Sequence, residues 1–134
     1  MTAMIRNLAT MTRVGLLATG SAASNKVVAQ LQDRDRLKKA RVHPIAVLAA
    51  LMTYKSGRGV RGKETWTPRG KIVDALDAAF YASFGVVEPA GKRMLLALDV
   101  SGSMASGAVA GVPSLTPRVA SAAMALVTAA TEKD

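Results

Sequence analysis

The sequence contains no cysteine. That excludes a disulfide scaffold, a thiolate zinc site, an iron–sulfur cluster and a cysteine nucleophile. The single histidine, His43, excludes any site built on two imidazoles. Aromatic residues are scarce: Tyr54, Trp66, Phe80, Tyr81 and Phe84 are all there are. No apolar run approaches the ~20 residues of a membrane-spanning helix. Arg6 and Arg13, then Val14–Ala18, then small residues at 21–23 imitate an export signal. The apolar stretch is too short for one, and Gly15 interrupts it. The expected location is the cytoplasm, with no membrane partner. A membrane-surface helix is also excluded for the most basic segment, because residues 33–41 carry only Leu37 and Ala40 as apolar members.

What remains is a chain of 134 residues, half of them apolar, with eighteen Lys/Arg against nine Asp/Glu and a net charge of +9. That length suits one ordinary domain or a piece of a larger protein. The charge is unevenly placed. Residues 1–73 hold fourteen basic and three acidic residues, and residues 74–134 hold four and six. The first part is thus net +11 and the second −2, a division that points to a polyanionic partner for the first.

The first three-quarters read as short helices joined by polar turns. Thr2 is placed to cap a helix carrying Ile5, Leu8, Ala9 and Met11. Residues 20–24 read as a loop, and residues 25–32 as a helix with Val27, Val28 and Leu31 at helical spacing. Asp33 caps a short basic helix through Lys39. His43-Pro44 opens another, with Ile45, Leu48, Ala49 and Met52 as its buried face and Gly57 as its stop. A glycine-rich basic loop spans 56–66. Thr67-Pro68 then starts a helix with Ile72, Leu76, Ala79, Phe80 and Phe84 on one face. Residues 88–91 form a boundary. Beyond it, Met94-Leu95-Leu96-Ala97-Leu98 is a continuous apolar run of the kind buried on both faces of a parallel sheet. A Gly/Ala/Ser loop follows, and Thr116-Pro117 starts a last helix. Strand, loop and helix open an α/β unit, and no partner strand for 94–98 is identifiable. Residues 1–85 are therefore expected to be the better-ordered part, with 91–134 in need of cover.

Two features carry chemistry. The first is Asp99-Val100-Ser101-Gly102-Ser103, a D-x-S-x-S just past the strand, where open α/β sheets bind ligands. Its carboxylate and hydroxyls are hard oxygen ligands suited to Mg²⁺ or another divalent cation, and the alternating spacing lets Asp99, Ser101 and Ser103 converge. An ordinary serine turn is the plain alternative. The second is basic. Arg34, Arg36, Lys38, Lys39 and Arg41 lie within eight positions, and Arg58, Arg61 and Lys63 sit in the glycine-rich loop. Such residues contact phosphates with little sequence discrimination; the plain alternative is a solvated helix face. Trp66 reads first as core packed on the following helix and second as a stacking surface for an unpaired base. His43 reads first as a helix-entry cap and second as an RNA contact. Asp74 and Asp77 share a helix face, but nothing converges on them, so they read as surface or packing groups.

D-x-S-x-S after an apolar strand resembles the metal-ion-dependent adhesion site of a von Willebrand factor A domain. The longer segments narrow this. MTAMIRNL at the start, LKKARVHP at 37–44, TYKSGRGVRGK at 53–63 with Trp66, ALDAAFY at 75–81, VEPAGKR at 87–93 and TEKD at 131–134 resemble the Ro ribonucleoprotein autoantigen family. The resemblance implies a mainly α fold: residues 1–88 as the C-terminal part of a helical-repeat (TROVE, HEAT-like) domain, and 91–134 as the first strand and helix of an α/β von Willebrand factor A domain. It implies a fragment of a non-enzymatic RNA-binding protein. Such proteins bind small non-coding Y RNAs and misfolded RNAs in RNA quality control, alongside exoribonucleases. His43 and Lys55 join the basic residues above as candidate RNA contacts. The family's metal site also uses a threonine and a second aspartate from later loops, which this sequence lacks. Its Mg²⁺ site is thus expected to be incomplete, and a complementary chain is an expected partner. The competing function is a metal-dependent protein-interaction module without RNA binding of its own.

Overall fold

The computed structural model describes residues 1–60, 63–112 and 114–133. Among the described residues six α-helices run in the order α1 (Thr2–Arg13), α2 (Ala22–Gln32), α3 (Arg34–Lys39), α4 (Pro44–Ser56), α5 (Gly70–Ala82) and α6 (Pro117–Thr131), with 3₁₀ turns at Ser83–Val86 and Gly102–Ala105. The starts of four helices follow from local chemistry. The Ser21 side chain accepts from Ser24 N at 3.1 Å, Asp33 from Arg36 N at 3.0 Å, His43 Nδ1 from Ile45 N at 3.2 Å and Thr116 Oγ1 from Val119 N at 3.3 Å. Each bond satisfies an amide that the helix itself leaves unpaired. His43 is therefore a cap, with Pro44 in the first turn behind it.

Two starts differ from expectation. Met1, not Thr2, is the N-cap of α1, and it makes no side-chain cap bond. Likewise α5 begins at Gly70 rather than at Thr67-Pro68. The cause lies in tertiary bonds: Trp66 N donates to Gly57 O at 2.9 Å and Arg69 N to the Tyr54 hydroxyl at 3.2 Å, so the backbone of 66–69 is already engaged before helix can form. Residues 22–24 belong to α2 rather than to a loop, because Ser21 caps it.

Helix α5 packs against both α2 and α4 and buries Ile72, Ala75, Leu76, Ala79 and Phe80. Helix α4 buries Val47, Leu48, Leu51 and Tyr54; Ile45, Ala49 and Met52 are only half-buried. Its apolar residues surround the helix, so period alone does not select the inward face. Gly57 ends α4 at φ +70°, and a Cβ there would lie 2.9 Å from Trp66 O, so only glycine lets the loop return so closely. Among the described residues of this loop, Arg58 and Thr65 form an isolated antiparallel bridge.

The second part does not stand apart. Helix α6 packs on α4 and on the 83–86 turn through Ala120, Ala123 and Val127, and Val112 and Leu115 join the same core. The helical part thus supplies cover for α6, within the stretch 91–134 that was expected to need it. The run at 94–98 is correspondingly bare: among the described residues it joins no β-ladder, and Leu95 is 96% exposed.

Candidate nucleic-acid interface and oxygen-rich turn

Helix α3 is a short helix of six residues, RDRLKK, around one anchor, the fully buried Leu37. Arg34, Arg36, Lys38, Lys39 and Arg41 are all exposed. Two acidic residues offset them. Asp33 is engaged as the cap and pairs with Arg36 at 3.3 Å. The helix divides its cations: Arg34 and Lys38 line a cleft toward the end of α5, while Arg36 and Lys39 line another with Met1 and Gln30. Beyond α3, Val42 and Pro44 turn inward, and Arg41 adopts φ +48° to make the turn.

The other candidate contacts are not gathered with α3. Lys55 lines a cleft together with Asp74 and Asp77. Arg58 sits in the glycine loop beside Thr53, Ser56 and Ser114, and Lys63 is exposed. Arg61 lies outside the described residues. Trp66 is half-buried and belongs to the preceding helix rather than the following one. Its ring stacks on Tyr54 at 6.2 Å between centroids, and its Nε1 donates to Tyr54 O at 2.9 Å.

The D-x-S-x-S turn is closed by two short bonds. Asp99 Oδ1 accepts from Ser101 N at 2.8 Å, and the Ser101 and Ser103 hydroxyl oxygens are 3.0 Å apart. The Ser101 amide, and then its hydroxyl, hold the Asp99 carboxyl below its ordinary value, against a small opposing effect of desolvation. The carboxylate is therefore charged at neutral pH. Arg118, at the start of α6, was not anticipated: its guanidinium donates to Ser101 O at 3.1 Å and reaches Val100 O at 3.5 Å. Seventeen residues of sequence separate donor and acceptor, so only the fold reveals the contact.

The turn fits a small hard cation in part. Two oxygens coordinated cis to Mg²⁺ lie about 2.9 Å apart, given its ~2.05 Å bonds and octahedral geometry, close to the observed hydroxyl separation. The donor set is small, however. Among the described residues no three His, Cys, Asp or Glu side chains gather, and Asp99 is the turn's one carboxylate.

Comparison with known proteins agrees with both parts. The TROVE domain family model matches residues 1–53, and the Ro60 vWA domain model matches residues 93–134. RNA-binding protein RO60 of Deinococcus radiodurans is 50% identical over the whole chain, and RNA-binding protein RO60 of Caenorhabditis elegans 49% identical over 95% of it. The chain spans 25% and 19% of those relatives. The crystal structure of the Deinococcus radiodurans RO (RSR) protein superposes on the full chain with a TM-score of 0.91, at 50% identity, over 27% of its own length. Identity at this level, in two family matches in sequential order, places the chain in the Ro family, across the junction of its TROVE and von Willebrand factor A domains.

Proposed function

We propose that this chain supplies an RNA-contacting surface of a Ro-type RNA-binding protein and works by binding, not by catalysis. The observation that carries the reading is α3: five exposed cations in eight positions, fixed to the core by Leu37, with one of the two nearby acids used as a cap. Both curated relatives are named as RNA-binding proteins, which supports the same partner class. The resemblance extends the reading to small non-coding and misfolded RNAs, to quality control with an exoribonuclease, and to a cytoplasmic setting. A complementary chain completing the fold belongs to the same reading. Among the described residues no helix is long and apolar enough to cross a membrane.

The test is the salt dependence of RNA affinity in the variant Lys38→Ala/Lys39→Ala/Arg41→Ala. None of the three is buried, so the fold is retained. Three lost phosphate contacts reduce the slope of log K against log salt by about 2 for single-stranded RNA. Affinity falls equally across RNA sequences. Unchanged affinity and slope would remove α3 from the interface.

A second reading, a metal-dependent protein-interaction module, has its own observation: an ionised Asp99 beside two hydroxyls at cis-ligand separation. In that case Asp99, Ser101 and Ser103 would hold the cation, which would supply a positive centre for a partner's carboxylate.

A further inference from the structure

Helix α3 and the C-terminal end of α5 enclose a cleft of about 290 Å³ lined by Arg34, Asp35, Lys38, Tyr81, Ala82 and Gly85. The volume is near the lower end for small-molecule sites. Arg34 and Lys38 are four residues apart on α3 and therefore share a face. Opposite them is Tyr81, one of only five aromatic residues in the chain. It is 53% exposed, so its ring face is accessible from solvent.

The ring is not loose. It meets the buried Phe80 edge-on at 5.2 Å and leans on Phe84 at 5.6 Å, and those two rings meet edge-on at 5.0 Å. A tyrosine braced by neighbours and open to solvent is a stacking platform that loses little freedom on binding. Tyr81 also borders the second cleft, where Asp74 and Asp77 accompany Lys55. Two carboxylates against one ammonium disfavour phosphate on that side. Phosphates are thus directed to the α3 side.

We infer that this cleft is a subsite for one unpaired nucleotide of single-stranded RNA. The base stacks on Tyr81, its phosphate lies between Arg34 and Lys38, and Asp35 accepts a hydrogen bond from a ribose hydroxyl or a base amine. The inference rests on the RNA-binding reading of α3 and adds a residue, Tyr81, that a purely electrostatic surface does not need.

The experiment measures fluorescence anisotropy of labelled oligoadenylate and of a labelled RNA duplex with the full chain, across a salt series. Tyr81→Leu weakens oligoadenylate binding about tenfold, the scale of one lost base–aromatic stack. It leaves the salt slope and duplex binding unchanged. Tyr81→Phe and Tyr81→Trp retain affinity, because either ring can stack. Arg34→Ala lowers both affinity and slope. If Tyr81→Leu binds oligoadenylate like the parent, the subsite is wrong and the basic surface stands. If it loses single strand and duplex equally, or loses helical circular dichroism, Tyr81 acts through the fold and the subsite is again wrong. If the parent chain binds neither RNA, the underlying reading fails and the subsite with it.

Discussion

Tyr54→Phe tests the bond network that joins the first three parts of the fold. Tyr54 is 2% exposed, and its hydroxyl serves two partners: Thr12 Oγ1 of α1 at 2.8 Å and the Arg69 amide before α5 at 3.2 Å. The phenylalanine keeps the ring, its stack on Trp66 and the carbonyl that receives the indole N–H. Only the hydroxyl is removed. Two partly or fully buried polar groups then lack a partner, each costing about 1–3 kcal/mol. Thr12 recovers some of this by bonding the carbonyl one turn back in its own helix, so a total near 2 kcal/mol is expected. For a chain of this size that lowers Tm by about 6–10 °C. The assay is thermal unfolding by circular dichroism of the parent, Tyr54→Phe, Thr12→Val and the double variant. Because Thr12 and Tyr54 share a bond, the double variant should lose less than the two singles together. A Tm within 1–2 °C of the parent, or strict additivity, would refute the assignment of Tyr54 as the link between α1, α4 and α5.

Four further outcomes are expected. Gly57→Ala destabilises by more than about 1 kcal/mol, since it combines a left-handed backbone with a Cβ 2.9 Å from Trp66 O; chemical denaturation measures it, and a neutral result would mean the loop moves freely. Asp99 titrates by carbon NMR below its ordinary 3.8, and the turn's stabilisation, present above that pH, is lost only as pH falls through the lowered value; Ser101→Ala moves the midpoint back only in part, because the amide bond remains. Calorimetry finds Mg²⁺ binding to this chain weaker than submillimolar and abolished in Asp99→Ala, because one carboxylate and two hydroxyls leave most of the shell to water; submillimolar affinity would show the turn to be sufficient. Glu132→Ala removes the acceptors for Ala90 N and Gly91 N, now at 2.6 and 3.0 Å, and hydrogen exchange at those two amides accelerates without change in α4.

What the sequence made legible is what local chemistry decides. Ser, Asp, His and Thr caps act on amides two or three residues away, so Asp33, His43 and Thr116 announce α3, α4 and α6. Gly57 marks the end of α4 for an equally local reason. The D-x-S-x-S turn closes through contacts two residues apart, Asp99 with Ser101 and Ser101 with Ser103, which spacing alone can suggest. Where distant partners decide, the sequence was silent or misleading. The inward face of α4 is chosen by α1, α5 and α6, so Tyr54 took a place that periodicity assigned to Met52. Lys55 counts as one more cation in the sequence, but in the fold it shares a cleft with Asp74 and Asp77. Tyr81 was one aromatic among few until Phe80 and Phe84 were seen to brace it beside Arg34 and Lys38.

The bare run at 94–98 has a physical origin in how the junction is tied. At its start, the Glu132 carboxylate beyond the C-terminal end of α6 accepts from Ala90 and Gly91. At its far end, Arg118 in the first turn of α6 donates to Ser101. The extended segment is thus fastened at both ends to the two ends of one helix, which returns along it in the opposite sense, as the helix of an α/β unit does. Yet α6 gives its buried face, Ala120, Ala123 and Val127, to the helical part. Small residues there permit close approach to α4, and a helix needs no neighbour to satisfy its backbone. A strand does. With its ends fixed and its middle unpaired, the segment leaves Met94, Leu95, Leu96 and Leu98 exposed. It is held at both ends, and among the described residues it joins no β-ladder, which leaves its backbone and its apolar side chains open to an edge partner.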